Sequence, residues 1–125
     1  MKYFFKAFKR NSNRRERAFG LGHFAEIWAA TYFICQGFWL LGRRVRTPAG
    51  EIDLVLKRGR LVVFVEVKAR ASLDEAGFVI TPLARERLAR AASAYLARHS
   101  PNAAITRLDA IYVGRLGRLR HLPNI

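Results

Sequence analysis

Gly50-Glu51-Ile52-Asp53-Leu54-Val55-Leu56, then Lys57-Arg58-Gly59-Arg60, then Leu61-Val62-Val63-Phe64-Val65-Glu66-Val67-Lys68 decide the fold of this chain. Two β-prone runs flank a short polar segment with one glycine, the pattern of a β-hairpin. Closing the turn symmetrically about Arg58-Gly59 sets Asp53 opposite Phe64 and Glu51 opposite Glu66. Side chains alternate along a strand and opposed residues share a face. Glu51, Asp53, Glu66 and Lys68 are therefore expected on one face, with Ile52, Leu54, Leu56, Val63, Val65 and Val67 forming an apolar face opposite. Diagonal neighbours lie ~7–8 Å apart at Cα, so the Asp53 and Glu66 carboxylates can converge.

Convergence needs a counter-charge. Two carboxylates ~5 Å apart repel by about 3 kcal/mol at an effective dielectric near ~20. Protons, basic side chains or a divalent cation must offset this. Hard carboxylate oxygens suit Mg²⁺ or Mn²⁺, which commonly bind one or two carboxylates together with phosphate oxygens. Lys68 puts an ammonium beside such a site, where it could orient a water or stabilise charge on phosphorus.

Around this hairpin the chain reads as one mixed α/β unit. An Ala-rich apolar run predicts a helix over 22–36 with Gly37 as its stop, and Glu26 is the only acid in it. Phe38 to Val45 predicts a strand, and Thr47-Pro48-Ala49-Gly50 a turn. Ala69 to Ile80 is a loop, after which Thr81-Pro82 caps and opens a helix to about Arg98. Its apolar stripe is Leu83, Leu88, Ala92, Tyr95 and Leu96. Ala104 to Val113 is a fourth strand and Leu119 to Leu122 a fifth. The order αβββαβ(β) gives a mixed central sheet flanked by helices. Residues 1–20 read as a basic arm that is mobile, and 21–125 as the single domain.

Lys plus Arg number 23 against 9 Asp plus Glu, a formal +14 with a pI near 11.4. A field of that sign attracts polyanions, nucleic acid above all. At 125 residues, with 51% hydrophobic residues and a mean hydropathy of -0.01, the composition is that of a globular domain. The lone Cys35 excludes a disulfide framework and points to a cytoplasmic protein, with Cys35 expected buried. No apolar run suits a membrane span, no membrane partner is expected, and the N-terminus lacks the apolar core of a secretory signal. Nucleotide-loop, serine-elbow and His-Glu-x-x-His motifs do not occur.

Asp53, twelve intervening residues, then Glu66-Val67-Lys68 resemble the signature of the PD-(D/E)XK, or restriction-endonuclease-like, superfamily. Gly50-Glu51-Ile52-Asp53-Leu54 and Phe64-Val65-Glu66-Val67-Lys68-Ala69-Arg70 resemble the two blocks of the YraN-like family of bacterial proteins. Gly22, Glu26, Gly37, Arg46, Thr81-Pro82, Arg87-Leu88, Ala91-Ala92, Tyr95-Leu96, Arg107 and Asp109 extend the likeness over about residues 20–113. Three positions depart from the family pattern: Ala25 before Glu26, Ala84 where a basic residue is usual, and Leu108 between Arg107 and Asp109.

The resemblance implies a restriction-endonuclease-like fold and a metal-dependent endonuclease selective for branched or flapped substrates in DNA repair or recombination. Asp53, Glu66 and the Val67 carbonyl would hold Mg²⁺ or Mn²⁺, Lys68 would act on the water, and Glu26 would assist from its helix. Glu51 would support the site, while Arg43, Arg44, Arg46, Arg70, Arg85 and Arg87 would meet nucleic acid, DNA before RNA. Three bland alternatives stay open: a structural salt-bridge cluster, a non-catalytic nucleic-acid-binding module, and an adaptor or homodimer docking through Leu116, Leu119, Leu122 and Ile125. Asp109 and Arg107 read as a structural ion pair, and His23, His99 and His121 lack ligand spacing.

Overall fold

The computed structural model describes residues 22–70, 80–99 and 105–125. The arm read at 1–20 and most of the loop before the second helix, at 71–79, lie outside the described residues. Helix α1 is described over 22–34. It ends in a Schellman motif: Phe38 N–H donates to Phe33 O at 3.2 Å and Gly37 N–H to Ile34 O at 3.0 Å. Gly37 takes φ 89°, and Phe33 and Phe38 meet edge to face at 5.3 Å, the apolar contact that accompanies this stop.

Five strands follow as one sheet in sequential order: β1 Trp39–Thr47, β2 Gly50–Arg58, β3 Leu61–Ala69, β4 Ile105–Val113 and β5 Leu119–Leu122. Helix α2, Pro82–His99, lies between β3 and β4 in sequence. Only β3 and β4 run parallel, which is what a connection long enough to carry a helix permits. Thr81 caps α2 as expected, its Oγ1 accepting the Ala84 N–H at 3.1 Å. The order and the mixed sheet read from the sequence are those observed.

Each helix covers one sheet face. Ala25, Ala29, Ala30 and Phe33 of α1 bury Leu54, Leu56, Val63, Val65 and Ile111. Leu88, Ala91, Ala92 and Tyr95 of α2 bury Ile52, Val55, Val62 and Phe64. Leu83, expected in that stripe, is exposed, because α2 turns it away in its first turn; Cys35, expected buried, is exposed just beyond α1.

The central hairpin differs from its expected register by two residues. Arg58 pairs with Leu61 and Leu54 with Val65, so the turn is Gly59-Arg60, not Arg58-Gly59. Gly59 at φ 60° explains this, since a two-residue hairpin turn places a positive φ at its first central position. An even shift preserves side-chain parity, so Glu66 and Lys68 still share a face. Ile52, however, crosses to the α2 core, away from Leu54. The β1–β2 register shifts between Leu40 and Gly42, and further along Arg44 and Asp53 drop out of the pairing, with Arg44 at φ 52°.

On the α1 side of β4, Asp109 is 0% exposed and fully engaged. Arg107 donates to it twice at 2.7 Å, His121 Nε2 stands 2.7 Å away, and Asn124 N–H donates at 3.0 Å. Tyr32 of α1 meets His121 Nδ1 at 3.2 Å, so one network ties helix, two strands and the residues after β5. Burial alone would raise the Asp109 carboxyl, but these partners outweigh it and hold it below the usual carboxylate range. A depressed folded pKa gives stability that is present above about pH 4 and lost as pH falls through the folded value. Asp109→Ala is expected to cost about 3 kcal/mol at pH 7 by urea unfolding, and clearly less at pH 3. An equal cost at both pH values would disprove the ion-pair account.

Candidate active site

The β2–β3 ladder stops at Leu54 and Val65, while β3 and β4 stay paired out to Ala69 and Val113. The next pairs in the register would be Asp53 with Glu66 and then Ile52 with Val67. Instead, the Val67 N–H donates to Asp53 Oδ2 at 2.8 Å. A side chain replaces a main chain, and the sheet splits. The N–H and C=O of one strand residue point to the same side, so the Val67 carbonyl faces the split as well.

Into this opening the fold brings acids from three elements. Asp53 comes from β2 and lies along the sheet, not on the Glu66 face as the alternation predicted. Glu66 stands on the α2 face of β3, 8% exposed, and Glu26 reaches in from α1, also 8% exposed. Glu66 Oε1 takes Lys68 Nζ at 3.0 Å and Arg87 Nη2 at 3.7 Å. Glu26 Oε2 takes Arg44 Nε at 2.7 Å, which raises the Arg44 guanidinium above its ordinary value.

Asp53 has no ion-pair partner among the described residues, where its one hydrogen bond comes from the Val67 amide. Burial pushes its carboxyl up to about 6, the Val67 bond opposes this, Glu66 and Glu26 add to the rise, and Lys68 subtracts from it. Nearby positive charge therefore acts on Asp53 only at a distance, without a direct ion pair among the described residues.

Among the described residues no group of three or more His, Cys, Asp and Glu gathers as a metal centre. A smaller donor set is nevertheless arranged. Asp53 Oδ2 and Glu66 Oε1 are engaged, whereas Oδ1 and Oε2 carry no hydrogen bond or ion pair among the described residues. Two free carboxylate oxygens and a strand carbonyl are hard donors that fit a Mg²⁺ or Mn²⁺ ion sharing its shell with phosphate and water.

The basic residues divide. Arg87 of α2 is drawn into the site, its stem packed 3.6 Å from where a Gly50 Cβ would stand. Arg44 joins the acids through its left-handed backbone, which no sequence pattern announced. Arg46 is exposed and sits 4.0 Å from Glu51 at the β1–β2 tip, and Arg43 and Arg70 are exposed. Arg85 is held elsewhere, donating to Ile125 O at 2.8 Å, and does not face the split. His121, read as carrying no role, belongs to the Asp109 network; the Arg107-x-Asp109 spacing was its only sequence trace.

Residues 25–113 match the family model described as "Uncharacterised protein family UPF0102". A UPF0102 protein of Rhodopseudomonas palustris (strain BisB18) is 46% identical over 110 residues, 87% of this chain and 82% of that protein. One from Bradyrhizobium sp. (strain ORS 278) is 46% identical over 118 residues, covering 94% and 84%. Another, from Methylorubrum populi (strain BJ001), is 46% identical over 112 residues, covering 89% and 90%.

The raised Asp53 pKa has a stability consequence of opposite sign to that of Asp109. Its folded value, about 6, exceeds the ordinary 3.8, so its relative stabilisation is complete below pH 3.8 and lost as pH rises through 6. Asp53→Asn keeps an acceptor for the Val67 N–H and removes the charge. It should unfold later in urea at pH 8, by about 1–2 kcal/mol after discounting for solvent screening, and show no such gain near pH ~4. A gain that ignores pH would remove the charge argument.

Proposed function

The chain belongs to the UPF0102 family, and we propose that it is a divalent-metal-dependent endonuclease acting on branched DNA. The observation that carries this reading is the pair of carboxylates with free oxygens at the sheet split, with Lys68 beside them on a chain of formal charge +14. Asp53, Glu66 and the Val67 carbonyl would hold Mg²⁺ or Mn²⁺. When bound, that ion polarises the scissile phosphate and makes water more acidic.

The chain's own groups supply the rest. A phosphodiester entering the split meets Arg87, half of whose reach is solvent-facing, and Lys68, which is held by Glu66 at 3.0 Å. The Lys68 ammonium, kept in place by that contact, orients an attacking water and faces the negative charge that grows on phosphorus. The water oxygen forms its bond to phosphorus as the bond to the oppositely placed ester oxygen breaks; the water gives up a proton and the departing oxygen gains one from solvent. Glu26 acts at one remove, holding Arg44 beside Asp53. Arg43, Arg46 and Arg70, outside the split, meet flanking phosphates.

A binding-module reading draws on one observation: Glu66 and Glu26 are already paired with Lys68, Arg87 and Arg44. The two readings separate on a panel of single strands, duplexes, flaps and four-way junctions in Mg²⁺ or Mn²⁺. Cleavage of the branched members is expected, and Lys68→Ala should lower the rate at least ~100-fold with binding nearly unchanged, as for a group acting on the transition state. Mn²⁺ should raise the melting temperature of the wild type but not of Asp53→Asn, a readout free of turnover. Should wild type cut nothing with either ion, the protein is a binding module.

Binding itself has a salt signature. If four to six basic side chains meet phosphates, log K for duplex DNA should fall with log[salt] at a slope of roughly -4 to -5. A slope near zero would mean the charge is not used on nucleic acid.

A further inference from the structure

Of the apolar residues expected to form a C-terminal docking patch, Leu119 packs on the α1-side core and Ile125 on the α2-side core. Leu116 does neither: it is 101% exposed. It also takes φ 59°, a left-handed conformation that Leu rarely adopts. A floppy turn would relax both features, but this one is braced. Gly114 N–H donates to Arg118 O at 2.8 Å, and Trp28 Nε1 donates to Gly117 O at 2.8 Å. A Cβ on Gly117 would stand 3.2 Å from the Trp28 ring, and Trp28 stacks on Phe24 with centroids 6.3 Å apart. An apolar side chain is thus held out in water on a rigid support.

Its surroundings are basic and adjoin the split. Arg115 and Arg118 flank Leu116 in sequence and both are exposed. Beneath the turn a cavity of about 300 Å³ is lined by Phe24, Ala69, Arg70, Val113, Arg115 and Leu116. Its floor is the Ala69–Val113 pair on the α1 face, at the sheet end where Lys68–Tyr112 of the preceding rung faces α2, and Ala25 in its lining is the chain neighbour of Glu26. An apolar projection between arginines, beside an apolar cavity of base-admitting size that adjoins Glu26 through Ala25, fits a nucleotide rather than a protein or lipid face.

Resting on the nuclease reading above, we propose that Leu116 is a wedge that enters the base stack at a DNA branch point, with Arg115 and Arg118 on the neighbouring phosphates and the displaced base received over Phe24. Apolar wedges of this kind unstack a base step and favour DNA that is already frayed or branched. Selectivity for branched DNA then comes from the β4–β5 turn, while the split does the chemistry.

The test uses the full chain in EDTA, so that nothing is cut, and measures affinity for a flap and for a blunt duplex of equal length. Leu116→Gly is the informative variant, because glycine accepts φ 59° without strain and the turn should melt no earlier than in wild type. The flap preference of the wild type is expected to fall about tenfold in Leu116→Gly, with duplex affinity held within about twofold. 2-Aminopurine at the branch point should brighten on binding wild type or Leu116→Met, and not Leu116→Gly. A glycine variant that keeps both the preference and the signal overturns the wedge while leaving the nuclease reading standing. A wild type that binds no DNA at all overturns both.

Discussion

Everything that distinguishes this sheet from a plain one hangs on a single hydrogen bond, from the Val67 amide to the Asp53 carboxylate at 2.8 Å. Had Ile52 paired with Val67 through the main chain, the hairpin would have run straight to its end and closed the surface. With the side chain standing in, Ile52 is released to the α2 core, β2 follows β1 away from β3, and the Val67 carbonyl is left facing open space. The kink at Arg44 is the matching adjustment in β1, since strands paired along their length must bend together. A backbone irregularity of this sort costs stability and persists when the surroundings over-determine it. Here two cores hold it from opposite faces.

The split also solves a charge problem. On a chain of formal charge +14, exposed acids would weaken the attraction for the polyanion we propose it binds. Glu26 and Glu66 are masked by Arg44, Lys68 and Arg87, so the outer surface remains basic up to the rim. Of these three acids, only Asp53 has no direct ion pair among the described residues. The negative potential is therefore confined to a few ångströms, where a small hard ion could act and where a phosphate would feel mostly its basic neighbours.

Much of this was legible in the sequence, and what was not has identifiable causes. Strand order followed from alternation and turn residues, and the Schellman stop from Gly37. The face shared by Glu66 and Lys68 survived a register error because the error was an even number of residues. Ile52 and Asp53 were misplaced because alternation assumes unbroken pairing, and the break is set by a left-handed Arg44, a residue with no conformational signature of its own. The family blocks around Asp53 and Glu66 were visible, and membership in UPF0102 agrees with them. The partners of Asp109 were hidden for another reason: His121 and Asn124 are 12 and 15 residues away, and only the return of β5 against β4 brings them in.

Asp109 and Asp53 are both aspartates on inner strands of the same small sheet. Asp109 is completely buried yet its pKa is lowered, because a guanidinium, an imidazole and an amide supply more than burial removes. The Asp53 carboxyl is raised to about 6, by burial first and then by Glu66 and Glu26, and the Val67 amide and Lys68 do not offset them. The first acid is matched to its surroundings and holds the fold together. The second has no direct ion pair among the described residues, its nearby cations being engaged by Glu26 and Glu66. That contrast is why we propose Asp53 for chemistry, while the Asp109 network ties helix and strands together.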